Sequence, residues 1–189
     1  MLLKSIPNIL TLSRILVVPF FILMFYSNLF YFKLLSLFIF FLSSITDFLD
    51  GYLARKYNLV TSLGKFIDPL ADKILILTAF FLLYSLYSEF IPLWMLFSIF
   101  IRDIGITLFR LYLNSRSSTL KTSYFAKTKT LFQIVVIHVL LIFHSFYPFN
   151  NSVFKGFYEQ SFYMLMLLCV VFTVLSGLHY LLINSYKNA

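Results

Sequence analysis

The stretch Asp47–Lys73, "DFLDGYLARKYNLVTSLGKFIDPLADK", carries eight charged side chains, four acidic and four basic, and it is flanked by apolar chain on both sides. Between Ile15 and Thr46 the only charge is Lys33; between Ile74 and Ile101 it is Glu89. A helix crosses the hydrocarbon core of a bilayer with about 20 apolar residues. Both flanks are long enough for that, so the charged segment marks the place where two crossings end.

Composition extends this reading to the whole chain. Its 189 residues are 61% hydrophobic and 12% charged, where soluble domains carry about 25% charged residues. Mean hydropathy is +0.92. A soluble fold of this length has no interior large enough for so much apolar surface, whereas lipid accepts it directly, provided the backbone is satisfied within helices. Apolar runs predict six spans: Asn8–Asn28, Lys33–Ala54, Phe66–Ser88, Pro92–Leu113, Phe125–Tyr147 and Gln160–Ser185. The expected architecture is an all-α integral membrane protein, six transmembrane helices in one bundle, forming a single domain over residues 1–189. Lys4 gives the basic start of a signal peptide, but no small-residue cleavage site follows and the apolar run holds Arg14, so no cleavable leader is expected. The lone Cys169 supports no disulfide framework.

Charge distribution sets the orientation. Lys4, Arg14, Arg55, Lys56, Lys65, Arg116, Lys121, Lys127, Lys129 and Lys187 fall at the two termini and at the second and fourth connections; Lys33 and Lys155 fall on the other side. Cytoplasmic segments are the Lys/Arg-rich ones, so both termini are expected in the cytoplasm, with Asp47–Lys73 at the cytoplasmic ends of spans two and three. The net charge of +8 then suits an anionic leaflet rather than nucleic acid.

Asp47, Asp50, Gly51 and Ala54 are spaced i, i+3, i+4, i+7, which is one helix face. Asp68 and Asp72 are spaced i, i+4 and share a face, with Pro69 expected in the first turn of its span. Two helices each offering two carboxylates make a four-carboxylate cluster, and four such anions repel unless protonated or neutralised. Oxygen-only ligands suit a hard cation such as Mg²⁺, and two ions would clamp a displacement at phosphorus. The plainer reading makes these side chains headgroup-level charges paired with Arg55, Lys56, Lys65 and Lys73. Ionisable residues near membrane depth nevertheless mark functional sites.

The stretch fits D-x2-D-G-x2-A-R-x8-G-x3-D-x3-D at every fixed position: Asp47, Asp50, Gly51, Ala54, Arg55, Gly64, Asp68 and Asp72. In this it resembles the CDP-alcohol phosphatidyltransferase family, as do the six spans and the length. The resemblance implies a reaction in which the hydroxyl of an alcohol attacks the lipid-side phosphorus of a CDP-linked lipid and CMP leaves. It implies Asp47, Asp50, Asp68 and Asp72 as ligands of Mg²⁺ or Mn²⁺, two ions in all, with Asp72 also the general base. Asp50, Gly51, Ala54, Arg55 and Gly64 would line the CDP site. Members of that family often form homodimers; no interface is legible here.

Three further patches bear on the acceptor. "PNILTLSRI", Pro7–Ile15, resembles the phosphatidylglycerophosphate synthase branch of the family, which acts on CDP-diacylglycerol and glycerol 3-phosphate; so does "GKFIDPLADK", Gly64–Lys73. Asn8, Thr11 and Arg14 would face the nucleotide or headgroup, or else Asn8 caps a helix and Arg14 reaches for lipid phosphates. "IRDIGITLFR", Ile101–Arg110, puts Arg102 and Asp103 at mid-span, either as an interhelical ion pair or in a site. Asp103 and Arg110 lie seven apart on one face, too far for a direct pair. "FAKTKTLFQ", Phe125–Gln133, resembles the branch pattern G-K-x-K-T with Ala126 in place of glycine; its Lys127 and Lys129 are either flanking charges or ligands. Arg110, Lys127 and Lys129 would bind the acceptor's phosphate, favouring glycerol 3-phosphate over serine, with inositol phosphate, or phosphatidylglycerol as in cardiolipin synthesis, as sibling acceptors. His138, His144 and His179 have no metal-ligand spacing and read as core or interface groups. The active site is expected to face the cytoplasm from a bacterial inner or plasma membrane, with the lipid bilayer as the surrounding partner. From another class, a divalent-cation transporter would use the same carboxylates as its pathway. A non-enzymatic lipid-binding scaffold would not need Asp72.

Overall fold

The computed structural model describes residues 2–56, 64–115, 124–146 and 152–185. Near several helix ends it describes the backbone and not the side chains. Six α-helices make up the described chain: α1 (Leu2–Phe25), α2 (Phe30–Lys56), α3 (Gly64–Tyr87), α4 (Leu93–Ser115), α5 (Tyr124–Phe146) and α6 (Ser152–Ser185). Each overlaps one of the six predicted apolar runs. The ends differ in both directions: α1 stops at Phe25, three residues before the expected Asn28. Amphipathic ends continue as helix after the apolar run stops, so α6 starts eight residues before the expected Gln160. Likewise α3 starts at Gly64, which places Pro69 beyond the first turn. There its missing N–H leaves the Lys65 carbonyl without its usual partner, a loss that helices at membrane surfaces accommodate.

Among the described residues, Phe30–Asp47, Thr128–Phe146 and Gly156–Tyr180 are long and apolar enough to cross a membrane. Side chains left bare by the protein support a lipid environment: Leu12, Leu16, Phe20 and Leu23 on α1, and Leu131, Val135, Ile142 and Phe146 on α5, are all exposed. In water such stripes would be sticky patches. Hydroxyls bond back to their own helices, as Ser44 does to the Phe40 carbonyl (2.8 Å) and Thr46 to that of Leu42 (2.6 Å), so they bring no unsatisfied polar group into lipid.

The chain divides into two compact units. The first, Met1–Leu82 with Leu141–Tyr147, is centred on α1 packed against α2. Its core holds Val18, Phe21, Phe25 and Phe40, with the Phe21 and Phe40 rings 5.8 Å apart. Phe25 ends α1, where the last carbonyls lack helical partners. His144 fills one such vacancy, donating from Nε2 to the Phe25 carbonyl at 3.1 Å while its ring stacks on the Phe25 ring at 4.4 Å. The second unit, Leu83–Leu140 with Pro148–Ala189, has α4 packed against α6. Phe162, Met166, Cys169, Thr173, Ser176 and Tyr180 of α6 are all buried. Their alternating spacing of four and three is the seam of a helix packed lengthwise on its neighbours. Gly177 beside that seam lets α4 come close: a Cβ there would lie 3.2 Å from Arg102 Cγ.

Candidate functional site

The signature begins where the apolar part of α2 gives out. Lys33, Ser36, Phe40 and Ser43 form its buried stripe, and Asp47 follows four residues later. From Asp47 the helix runs on to Lys56, about 13 Å further. Asp50, Gly51, Ala54 and Arg55 ride on that extension. In α3 the order is reversed: Gly64, Asp68 and Asp72 precede the apolar stretch Lys73–Tyr87. All eight signature positions are therefore helical, on segments that continue past apolar chain.

Asp47 is the signature carboxylate whose side chain is described. Arg14 of α1 donates from Nη1 to its Oδ1 at 2.8 Å; the Arg14 side chain is 3% exposed and that of Asp47 36%. A buried guanidinium thus fixes a carboxylate that stays reachable. Beside the pair, Ser13, Arg14 and Val17 of α1 and Ile39, Leu42, Ser43 and Thr46 of α2 line a cavity of about 180 Å³. Hydroxyls and the guanidinium mix there with aliphatic side chains, a wall suited to an amphiphile.

A second polar cluster lies in the other unit, centred on Asp103. Its carboxylate receives Arg102 Nη1 on Oδ1 at 3.1 Å, Lys129 Nζ on the same oxygen, and Gln133 Nε2 on Oδ2 at 3.2 Å. Gln133 Nε2 also meets Thr173 Oγ1 at 3.3 Å, and Arg102 Nη2 donates to Ser176 Oγ at 2.8 Å. Asp103, Lys129, Gln133, Thr173 and Ser176 are all buried. One carboxylate thereby connects α4, α5 and α6. Burial of this kind is tolerable only because each charge has a counter-charge at contact distance.

The chain matches the family model for CDP-alcohol phosphatidyltransferase over residues 4–181. The chain belongs to the CDP-alcohol phosphatidyltransferase family. It is similar to a protein of Rickettsia typhi named CDP-diacylglycerol–glycerol-3-phosphate 3-phosphatidyltransferase, 40% identical over 140 residues, covering 74% of this chain and 77% of the relative. Proteins with the same name are 34% identical over 188 residues in Bacillus subtilis, covering 93% of each chain, and 37% identical over 143 residues in Blochmanniella floridana, covering 72% of this chain and 73% of that one.

A CDP-alcohol phosphatidyltransferase is an enzyme of phosphatidyl transfer, and that membership sets aside the transporter and scaffold readings. Within this family member, Asn8, Thr11, Asp50, Ala54, Arg55, Asp68, Asp72, Arg110 and Lys127 sit on described helical backbone with side chains outside the described set, and Gly51 and Gly64 sit on helical backbone as well. The connection "KYNLVTSL" between the two halves of the signature lies largely outside the described residues as well. Lys129, expected to face the acceptor, is buried with its ammonium on Asp103. Two pairings went unread in the sequence. Arg14 lies in an apolar run, where a charge needs a partner, yet nothing local names Asp47 on the next helix. For Arg102 and Asp103 the ion-pair reading is legible in the sequence, but the second counter-ion, Lys129, comes from α5.

Proposed function

We propose that this phosphatidyltransferase moves the phosphatidyl group of CDP-diacylglycerol to glycerol 3-phosphate, releasing CMP and forming phosphatidylglycerophosphate. The observation that carries this reading is the complete signature on helical extensions of α2 and α3, with Asp47 held by Arg14 and still reachable. The names of its relatives support the choice of both substrates.

The donor set fits a hard divalent cation. Asp47, Asp50, Asp68 and Asp72 offer only carboxylate oxygens, and the described one is ordered without being sealed off. We assign these four to Mg²⁺ or Mn²⁺, as two ions; bound there, divalent ions neutralise the pyrophosphate and the departing CMP. Asp72 takes the proton of the acceptor hydroxyl, whose oxygen attacks the lipid-side phosphorus as its bond to CMP breaks. Asn8, Thr11, Asp50, Gly51, Ala54, Arg55 and Gly64 hold the CDP moiety, small residues giving room and Arg55 charge. Arg110 and Lys127 meet the acceptor's phosphate, and Lys129 stands behind them as a further cation of that site. Held reactants replace a bimolecular encounter, and fixed charge stabilises the leaving group.

The chain acts as one catalytic domain of six membrane spans with both termini in the cytoplasm and its active site on that side of a bacterial plasma membrane; a homodimer is the assembly the resemblance implies. The test supplies purified protein in detergent with CDP-diacylglycerol, Mg²⁺ or Mn²⁺, and one acceptor at a time, and follows CMP. Release with glycerol 3-phosphate is expected. Release with serine, inositol phosphate or phosphatidylglycerol instead would move the chain to a sibling branch.

A further inference from the structure

Of the Asp103 cluster only Lys129 enters the steps just described, yet the carboxylate holds three side chains of the second unit. Mid-membrane charge is costly, and a hydrophobic replacement of a buried ion pair is often at least as stable. Stability is therefore a weak reason for this cluster, and its placement suggests a better one. Lys129 and Gln133 are one turn apart on α5, and both end on the two oxygens of Asp103. That double attachment fixes α5 against α4 in rotation and in height, as a single contact would not. Arg110 lies seven residues beyond Asp103 on α4, and Lys127 two residues before Lys129 on α5, both between the anchor and the α4–α5 connection. Arg102, through Ser176, ties the same point to α6.

We infer that Asp103 is a positioning residue for acceptor binding: by holding Lys129 and Gln133 it sets the register of α5 on α4, and with it the spacing of the two cations that meet the acceptor's phosphate. This rests on the proposed function, whose failure shows separately, as absence of CMP release by the unaltered protein with glycerol 3-phosphate.

Steady-state kinetics of the full chain in detergent, with each substrate varied in turn, test the inference. Asp103→Asn keeps the shape of the side chain and removes its charge. The expected result is a rise of about tenfold or more in KM for glycerol 3-phosphate, since sub-ångström misplacement of binding groups is already expensive, with KM for CDP-diacylglycerol within about twofold of the original. Lys129→Gln should give the same split. The double variant should be no worse than either single one, because both break one anchor and their effects are not additive. Should Asp103→Asn not fold, Asp103→Glu carries the test, retaining the charge at the wrong reach; a selective rise of about threefold in the same KM is then expected, on the same argument. Three outcomes overturn the inference: equal rises in both KM values, no rise in either, or a fall in KM for glycerol 3-phosphate on Asp103→Asn. The last would mean that Asp103 withholds Lys129 from the acceptor.

Discussion

Arg14 and Asp47 show how a signature residue depends on a partner outside the signature. The metal-ligand role proposed for Asp47 requires a fixed carboxylate, and a guanidinium at 2.8 Å, itself 3% exposed, holds it from α1. Loss of such outer partners usually lowers metal affinity or activity ten- to a hundredfold. Arg14→Gln is therefore expected to slow CMP release by about that factor, with part of the loss recovered at higher Mn²⁺ or Mg²⁺. A titration of the metal against initial rate reads this directly; an unchanged rate would show that Asp47 needs no such support. Asp47→Asn is expected to be more severe and not recoverable by metal, because it removes the proposed ligand itself. The motif named Asp47 from spacing alone, whereas Arg14 stayed ambiguous between lipid phosphate and protein. Sequence fixes which residues share a helix face; which face a neighbouring helix presents depends on packing that no local pattern encodes.

At the scale of the helix, the apolar runs located all six elements and misplaced their ends. Hydropathy reports where lipid contact stops, and helical hydrogen bonding does not stop there: α2 runs two residues past the expected Ala54, to Lys56, and α6 begins at Ser152, eight before the expected Gln160. Helix contacts are better tested through small residues. Gly177 lies under Arg102, with room for a Cβ only at 3.2 Å from Arg102 Cγ, and interfaces between membrane helices depend on such close approach. Gly177→Leu should force α4 and α6 apart and destabilise the second unit by about 1–3 kcal/mol, the usual cost of overpacking. Gly177→Ala should cost less, since the Arg102 side chain can yield. Thermal unfolding in one detergent ranks the two; equal midpoints would mean that the α4–α6 contact tolerates bulk at this position. The same measurement on His144→Leu, which leaves the Phe25 carbonyl unbonded inside the first unit, should show a loss of about 1–3 kcal/mol.

Over the whole molecule the decisive quantity is the sidedness of charge. An even number of crossings returns the chain to the side on which it began, and Lys/Arg asymmetry says which side that is. Lys4 and Lys187 belong to one set, Lys155 to the other. The proposed reaction adds an independent reason for the same orientation: a CDP-linked lipid and a phosphorylated acceptor are both charged, so the signature helices would have to end on the side that supplies both. Cysteine labelling separates the alternatives. Cys169 is buried, so a Cys169→Ser background removes the native thiol at small cost in volume. In it, Lys4→Cys and Lys187→Cys should resist an impermeant maleimide in intact cells and react once the membrane is opened, while Lys155→Cys should react from outside. An odd number of crossings would expose one terminus and shield the other. That result would also put the α2–α3 signature and the C-terminal end of α6 in a different relation to the membrane, although the carboxylate chemistry itself would stand.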